Sequence, residues 1–302
     1  MLTLTRGLAV ALMVAAVTIS FAQSLPSSAP ATNIAPATTR SSTSAPAAIL
    51  QTPSTASYAA DPPIGTAKLL LSEDFESIAA GEIPKGFTKT GAVGVVTDVA
   101  HSGKNSLRME AAPKGPRRIT LKGEIVTSLG GTHWGRLYYK VQTPTPAPAG
   151  NGVIHSTLVS GTAQSPLAQD PIEVRMLDTV LGNKGTHQYI YNVQPTKRNE
   201  FGKGGAYDYK YKDEWQLAEW YIDYPTQSYR LFINGKEIKD VARNNGAGNF
   251  KNTEIPEVFE SLSFGWYNYQ VADTGFVAWI DDIALSKERI GTRGLPEESA
   301  KP

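Results

Sequence analysis

Residues 278–285 read AWIDDIAL. Ala278, Trp279, Ile280, Ile283, Ala284 and Leu285 suit a buried strand, yet Asp281 and Asp282 stand side by side in its middle. Successive side chains of a strand point to opposite faces. A regular strand therefore puts Trp279, Asp281 and Ile283 on one face and Ile280, Asp282 and Ala284 on the other. At least one carboxylate then lies against apolar packing, where it needs a cation, a set of donors or a raised pKa. Its partners must come from elsewhere in the chain.

The same short, alternating character recurs outward from this segment, between residues 66 and 291. AKLLLSEDF, VGVVTDV, NSLRMEA, GRLYYKVQT, GVIHSTLV, IEVRML, HQYIYNVQ, WQLAEWYIDY, SYRLFING and LSFGWYNY are separated by Gly, Pro and Asn. RLFINGKEI reads as a strand, an Asn-Gly turn and a second strand. No stretch sustains a helical period. About ten to twelve such strands in one domain predict an all-β, two-sheet β-sandwich of the jelly-roll, concanavalin A-like kind. That domain spans 63–291, and 292–302 reads as a tail.

The 302 residues carry 29 Lys and Arg against 28 Asp and Glu, with no basic run, so nucleic acid is not an expected partner. Arg6, the apolar run GLAVALMVAAVTISF and Ser20-Phe21-Ala22 before Gln23 read as a secretory signal over 1–22. The run is short for a membrane span, which leaves an anchor as the weaker alternative. The expectation is a secreted monomer (extracellular, periplasmic or at the cell surface) with no membrane contact after cleavage. Residues 23–62 are almost wholly Ser, Thr, Ala and Pro, a composition that cannot offset its ordering entropy and reads as a linker. The chain has no cysteine, so disulfides cannot staple it and stability must come from a large core, helped by a bound metal.

A place for that metal is legible. SEDFES (72–77) holds Glu73, Asp74 and Glu76, and AHSGKNSLRM (100–109) holds a tight turn at His101-Ser102-Gly103 before a strand. If the first and last strands pair, Glu76 and one of the two aspartates meet beside that turn. Carboxylates with turn carbonyls suit calcium, a hard cation that takes oxygen ligands. They do not suit zinc, because no His or Cys cluster accompanies them.

SEDFES, VAHSGKNSL, EIPEVFESLSFGWYNY and VAWIDDIAL together resemble the Cip1 family of secreted proteins, over most of residues 70–291. The resemblance implies a β-jelly roll with one structural calcium, similar to glucuronan lyases and carbohydrate-binding modules. Carried over by position, the ligands are Glu76, Ser102, Asn105 (partly through backbone oxygens) and Asp281. The alternative is that Asp281 and Asp282 make only local caps or ion pairs.

Such a fold can hold a polysaccharide against aromatic platforms, with polar groups fixing the hydroxyls. Tyr138, Tyr189, Tyr191, Trp215, Trp220, Trp266, Tyr267 and Tyr269 are available. Strand parity puts Ile172, Val174 and Met176 on a core face with Glu173 and Arg175 opposite. It gathers His187, Tyr189 and Tyr191 on one face, and sets His155 opposite Ile154 and Leu158. An Arg, a His and Tyr residues on neighbouring strands form the inventory of a β-eliminating lyase. The cation neutralises the uronate carboxylate, and the other groups move protons. The expected catalytic set is His155, Arg175, Tyr189 and Tyr191, with Glu173, Tyr138, His187, Trp266 and Tyr267 binding substrate. The family resemblance supports His155 and Arg175. FGKGGAY, with Lys203, Gly205 and Tyr207, is also similar to the Lys-x-Gly-x-Tyr stretch of some alginate lyases, or is simply a Gly-rich hairpin loop. The functional expectation is a polysaccharide lyase acting on an uronic-acid-containing plant or microbial cell-wall glycan. A non-catalytic carbohydrate-binding module and an adhesion scaffold stand as alternatives. Scattered acids such as Glu173 and Glu219 keep a glycosidase open.

Overall fold

The computed structural model describes residues 68–150, 152–164, 171–195, 207–243 and 253–291. The signal, linker and tail readings, and all of FGKGGAY except Tyr207, lie outside them. The first half of the fold contains β1 (Leu69–Glu73), β2 (Phe87–Thr90), β3 (Val93–Val96), β4 (Ser106–Ala112), β5 (Gly115–Lys122), a short helix α1 (Glu124–Leu129), β6 (Thr132–Val141) and β7 (Val153–Gln164). Then come β8 (Pro171–Gly182), β9 (His187–Gln194), β10 (Gln216–Asp223), β11 (Ser228–Ile233), β12 (Lys236–Glu237), a 3-10 turn (Lys239–Val241), β13 (Ser261–Asn268) and β14 (Phe276–Ser286). Asn234 and Gly235, both at positive φ, make the expected turn between β11 and β12.

The strands form two antiparallel sheets packed as the expected jelly-roll sandwich. Sheet A runs β12-β11-β10-β6-β14-β4-β3, with β1 also on β14, and sheet B runs β2-β5-β13-β7-β8-β9. Between them lies one core. Leu137, Trp220 and Ile280 come from sheet A, and Ile154, Val174, Phe264 and Trp266 from sheet B. Packing is close enough at Gly135 that a Cβ there would lie 2.0 Å from the Trp220 ring.

Bulges decide where the charged residues go. An extra residue in one strand breaks the two-residue alternation and bends the strand. In β14 the register against β6 shifts between Asp281 and Ala284, and Asp282 takes φ 49. Ile280, Ile283 and Leu285 all reach the core as a result, so the regular parity expected for AWIDDIAL fails after Asp281. The strand also changes partner there, pairing with β4 over Phe276–Ile280 and with β1 over Ile283–Ser286. In sheet B, β7 bulges around Val159, and β8 shifts against β9 between Arg175 and Asp178. Leu158 and Val159, and likewise Met176 and Leu177, are consecutive core residues. Arg175 and Asp178 are thereby left together on the outer face.

Candidate functional site

Strands β13, β7 and β8 are neighbours in sheet B, and their outer face carries a connected polar cluster. His155 Nε2 lies 2.6 Å from Asp178 Oδ2, and Thr157 Oγ donates to Asp178 Oδ1 at 2.7 Å. The pairing of Asp178 with Nε2 fixes how the imidazole is oriented. Glu173 is the second hub. It accepts from Arg118 and Ser160 on Oε1 (both 2.9 Å), and from Arg175 Nε and the Tyr269 hydroxyl on Oε2 (both 3.1 Å). The Arg175 guanidinium is stacked over the Tyr269 ring at 3.9 Å, and Tyr269 is stacked on Tyr267 at 4.1 Å. His155 packs beside Tyr269, 5.2 Å between ring centroids, and the Tyr269 amide donates to the His155 carbonyl.

Burial and neighbouring charges together set the protonation states. Desolvation alone would raise Glu173, but Arg175 and Arg118 outweigh it and hold the carboxyl below its ordinary range. Burial would lower Arg175, but Asp178, Tyr269 and Glu173 keep it raised, so the guanidinium is permanently charged. Burial first, then Glu173, pushes the Tyr269 phenol well above its ordinary value. Tyr269 therefore keeps its phenolic proton at neutral pH. Tyr207 joins the same face. Its ring lies over Gly182, where a Cβ would be 3.2 Å away, and Gly182 is two residues along β8 from Val180, the partner of His155.

The sequence-based set divides here. His155, Arg175, Glu173 and Tyr267 come together on this face. Tyr189, Tyr191, His187 and Trp266 do not, because they point into the core, and the expectation that they meet substrate is corrected. Tyr189 is hydrogen-bonded to the Tyr139 hydroxyl (2.7 Å), and Tyr191 donates to the Thr253 carbonyl (2.8 Å). Trp266 Nε1 donates to Asn268 Oδ1, and His187 is stacked on Tyr211 at 4.1 Å. Burial depresses His187 to about 3, so it is neutral. Tyr138 is also displaced. It lies on the outer face of sheet A, stacked under His101 at 3.4 Å. Asp178 and Tyr269 complete the cluster. A strand Asp follows no spacing rule, so Asp178 carries no sequence signal, and Tyr269 is one tyrosine among many. The parity of FGWYNY, with Phe264 and Trp266 in the core, separates Tyr267 and Tyr269 from it.

The 101–105 turn is gripped from two sides, beside the bulge of β14. Asp281 Oδ2 accepts from the amides of His101 (2.8 Å) and Ser102 (3.3 Å), while Oδ1 accepts from the Asp282 amide. Asp282 takes the His101 ring (2.7 Å) and the Ser102 hydroxyl (2.8 Å). On the other side Glu76 Oε1 accepts from the Lys104 and Asn105 amides. The Asn105 side-chain Nδ2 donates to the Phe75, Glu76 and Ile78 carbonyls. Gly103 takes φ 61, a left-handed conformation that favours glycine. Burial, then Asp282, pushes Asp281 up to about 8. Asp281 and Glu76 thus hold the turn that carries Ser102 and Asn105 from its two sides, through its amides. Their donors are all oxygens of the kind a hard cation takes, and a buried carboxyl with a raised pKa is one that a cation would hold ionised. Among the described residues no cluster of three or more His, Cys, Asp or Glu side chains could hold a metal. Backbone, amide and hydroxyl oxygens would have to complete any cation shell.

No protein-family model matches this chain. No curated protein sequence matches it. Among solved structures it is similar to the cellulose induced protein Cip1, at 20% identity over 73% of this chain and 99% of that one, with a TM-score of 0.45. It is also similar to an endo-β-1,4-glucuronan lyase from the fungus Trichoderma reesei, at 14% identity over 72% and 95%, TM-score 0.45. A third is the CBM22-1 xylan-binding domain of Paenibacillus barcinonensis Xyn10C, at 12% identity over 73% and 94%, TM-score 0.36.

Proposed function

We propose that the outer face of sheet B binds an uronic-acid-containing polysaccharide and cleaves it by β-elimination. The observation that carries this reading is the stack of Arg175 on Tyr269 at 3.9 Å beside the His155–Asp178 pair at 2.6 Å. The substrate carboxylate would sit against Arg175, assisted by Arg118, which lowers the cost of a carbanion-like state next to that carboxylate. His155, oriented by Asp178, takes the proton from the carbon that bears the carboxylate. The electron pair of that C–H bond forms the new carbon–carbon double bond. The glycosidic oxygen departs with the electrons of its own bond and takes a proton from Tyr269, with Tyr207 as the alternative donor. No water is consumed, and the product is an unsaturated uronate. The measurement is ultraviolet absorbance of that product from glucuronan, alginate and pectate. The expected result is a signal on at least one polymer that disappears in Arg175→Ala; silence on all three would overturn the lyase.

A second reading has its own support. Glu173 already engages both Arg118 and Arg175, so part of their charge is met within the protein, and the Tyr267–Tyr269 stack is a ready platform for a sugar ring. A carbohydrate-binding module would need no more. It predicts retention on a polymer without any product.

A structural calcium at the 101–105 turn, held by Glu76, Ser102, Asn105 and Asp281, belongs to the same proposal. A ligand that binds only the folded chain raises stability by mass action. Calcium should therefore raise Tm, a chelator should reverse the rise, and Asp281→Asn should abolish the response. An unchanged Tm with and without calcium would remove the ion from the account.

A further inference from the structure

The outer face of sheet A, opposite the proposed lyase face, carries one cross-strand row that none of the foregoing uses. Arg108 on β4 pairs in register with Trp279 on β14, and Trp279 pairs with Lys140 on β6. Trp215, the residue before Gln216, falls level with Lys140 on the next strand, because Gln216 pairs with Tyr139. Both tryptophans are partly exposed. Two strand spacings separate them, roughly 10 Å. Trp279 is steadied by the Arg108 guanidinium, 5.8 Å from its ring centroid, and Trp215 by the edge of His101 at 5.9 Å. Each cation of the row already has a carboxylate: Arg108 with Glu110 at 3.3 Å and Lys140 with Asp213 at 3.0 Å.

We infer that this row is a second glycan-binding site, and that its occupant is a neutral β-1,4-linked glycan chain lying across the strands. Two indoles a disaccharide repeat apart match alternate sugar rings of such a chain, and ring faces stack on aromatic platforms. The charges between them cancel locally. They therefore offer donors and acceptors to hydroxyls without selecting an anionic polymer, unlike the permanently charged Arg175 of sheet B. The inference rests on reading the chain as glycan-active, but it assigns a different face, different residues and a different ligand charge.

The test is calorimetric titration of the full chain with cellohexaose and xylohexaose. At least one should bind, and Trp279→Ala and Trp215→Ala should each weaken it about tenfold or more, while Arg175→Ala leaves it unchanged. Trp279→Tyr should keep most of the affinity, and it decides the matter with Trp215→Ala if Trp279→Ala fails to fold. Failure of both hexaoses to bind would overturn the site. So would affinity unaltered in the tryptophan variants, or affinity lost only in Arg175→Ala. Uronate cleavage with no hexaose binding sinks this site alone, and tryptophan-dependent binding without cleavage sinks the lyase alone.

Discussion

The bulges of sheet B and the bulge of β14 use the same device for different ends. Around Val159, and between Arg175 and Asp178, an irregular register sends consecutive apolar residues inward and leaves His155, Glu173, Arg175 and Asp178 facing out as one network. In β14 the irregularity puts Asp281 and Asp282 against the amides and side chains of the 101–105 turn. The first network keeps Arg118, Glu173 and Tyr267 partly exposed above a buried His155, Arg175 and Asp178, whereas the second spends its charge within the protein. The difference teaches that a carboxylate pair in a strand is read from what lies across from it. Changes in sheet B should alter activity, and changes at the β14 bulge should alter stability.

The largest expected effect tests the first half of that comparison. His155→Ala should cut kcat/KM on a responsive uronate polymer about 10³-fold, with a smaller loss in Asp178→Asn, while thermal melting shows both folded. Equal activity in wild type and His155→Ala would break the comparison at its functional end.

Next comes acidification, which probes the core between the two faces. His133 is buried, with Nδ1 on the Gly130 carbonyl and Nε2 facing the Trp220 indole N–H, and burial lowers it from 6.5 to about 4. Between these values the unfolded chain binds a proton that the native one refuses. Stability is therefore full above about pH 6.5 and falls as pH drops toward 4, by about 3 kcal/mol from this residue. Chemical denaturation at a series of pH values, with His133→Gln as control, should show the acid limb flattening in the variant.

Asp282→Ala addresses the second half. It leaves a residue at φ 49 without its hydrogen bonds to His101 and Ser102, and should destabilise by about 2 kcal/mol with kcat/KM unchanged. A loss of activity without a loss of stability would invert the comparison. Smallest is Glu110→Gln, which removes the half-exposed partner of Arg108. Its effect on stability should stay within about 0.5 kcal/mol by urea unfolding.

Much of this was legible in the strand alternation. Glu173 and Arg175 opposite Ile172 and Val174, His155 opposite Ile154 and the Asn234-Gly235 turn follow from a period of two and from turn chemistry. The bulges were not legible. A single inserted residue leaves no compositional mark, so regular alternation puts Ile283 on the face of Trp279 and shows no link between Asp178 and Arg175. The aromatic residues misled for another reason. Tyrosine both fills cores and binds sugars, and only its alternating neighbours distinguish the two uses. In HQYIYNVQ the polar Gln188, Asn192 and Gln194 mark the opposite face as the outer one and send His187, Tyr189 and Tyr191 inward.

The pairing of β1 with β14 brings Leu69 opposite Ser286. The start of the first strand and the end of the last thus lie side by side, about 4.8 Å apart, before the chain runs on to bury Ile290 with Trp134 and Phe232. A short peptide could join them, and new termini opened at Asn234-Gly235 would give a circular permutant that keeps both sheets, whose connections do not depend on where the chain is cut. The same adjacency lets the sandwich be spliced into a surface loop of another protein while disturbing its host by little more than the width of a hairpin.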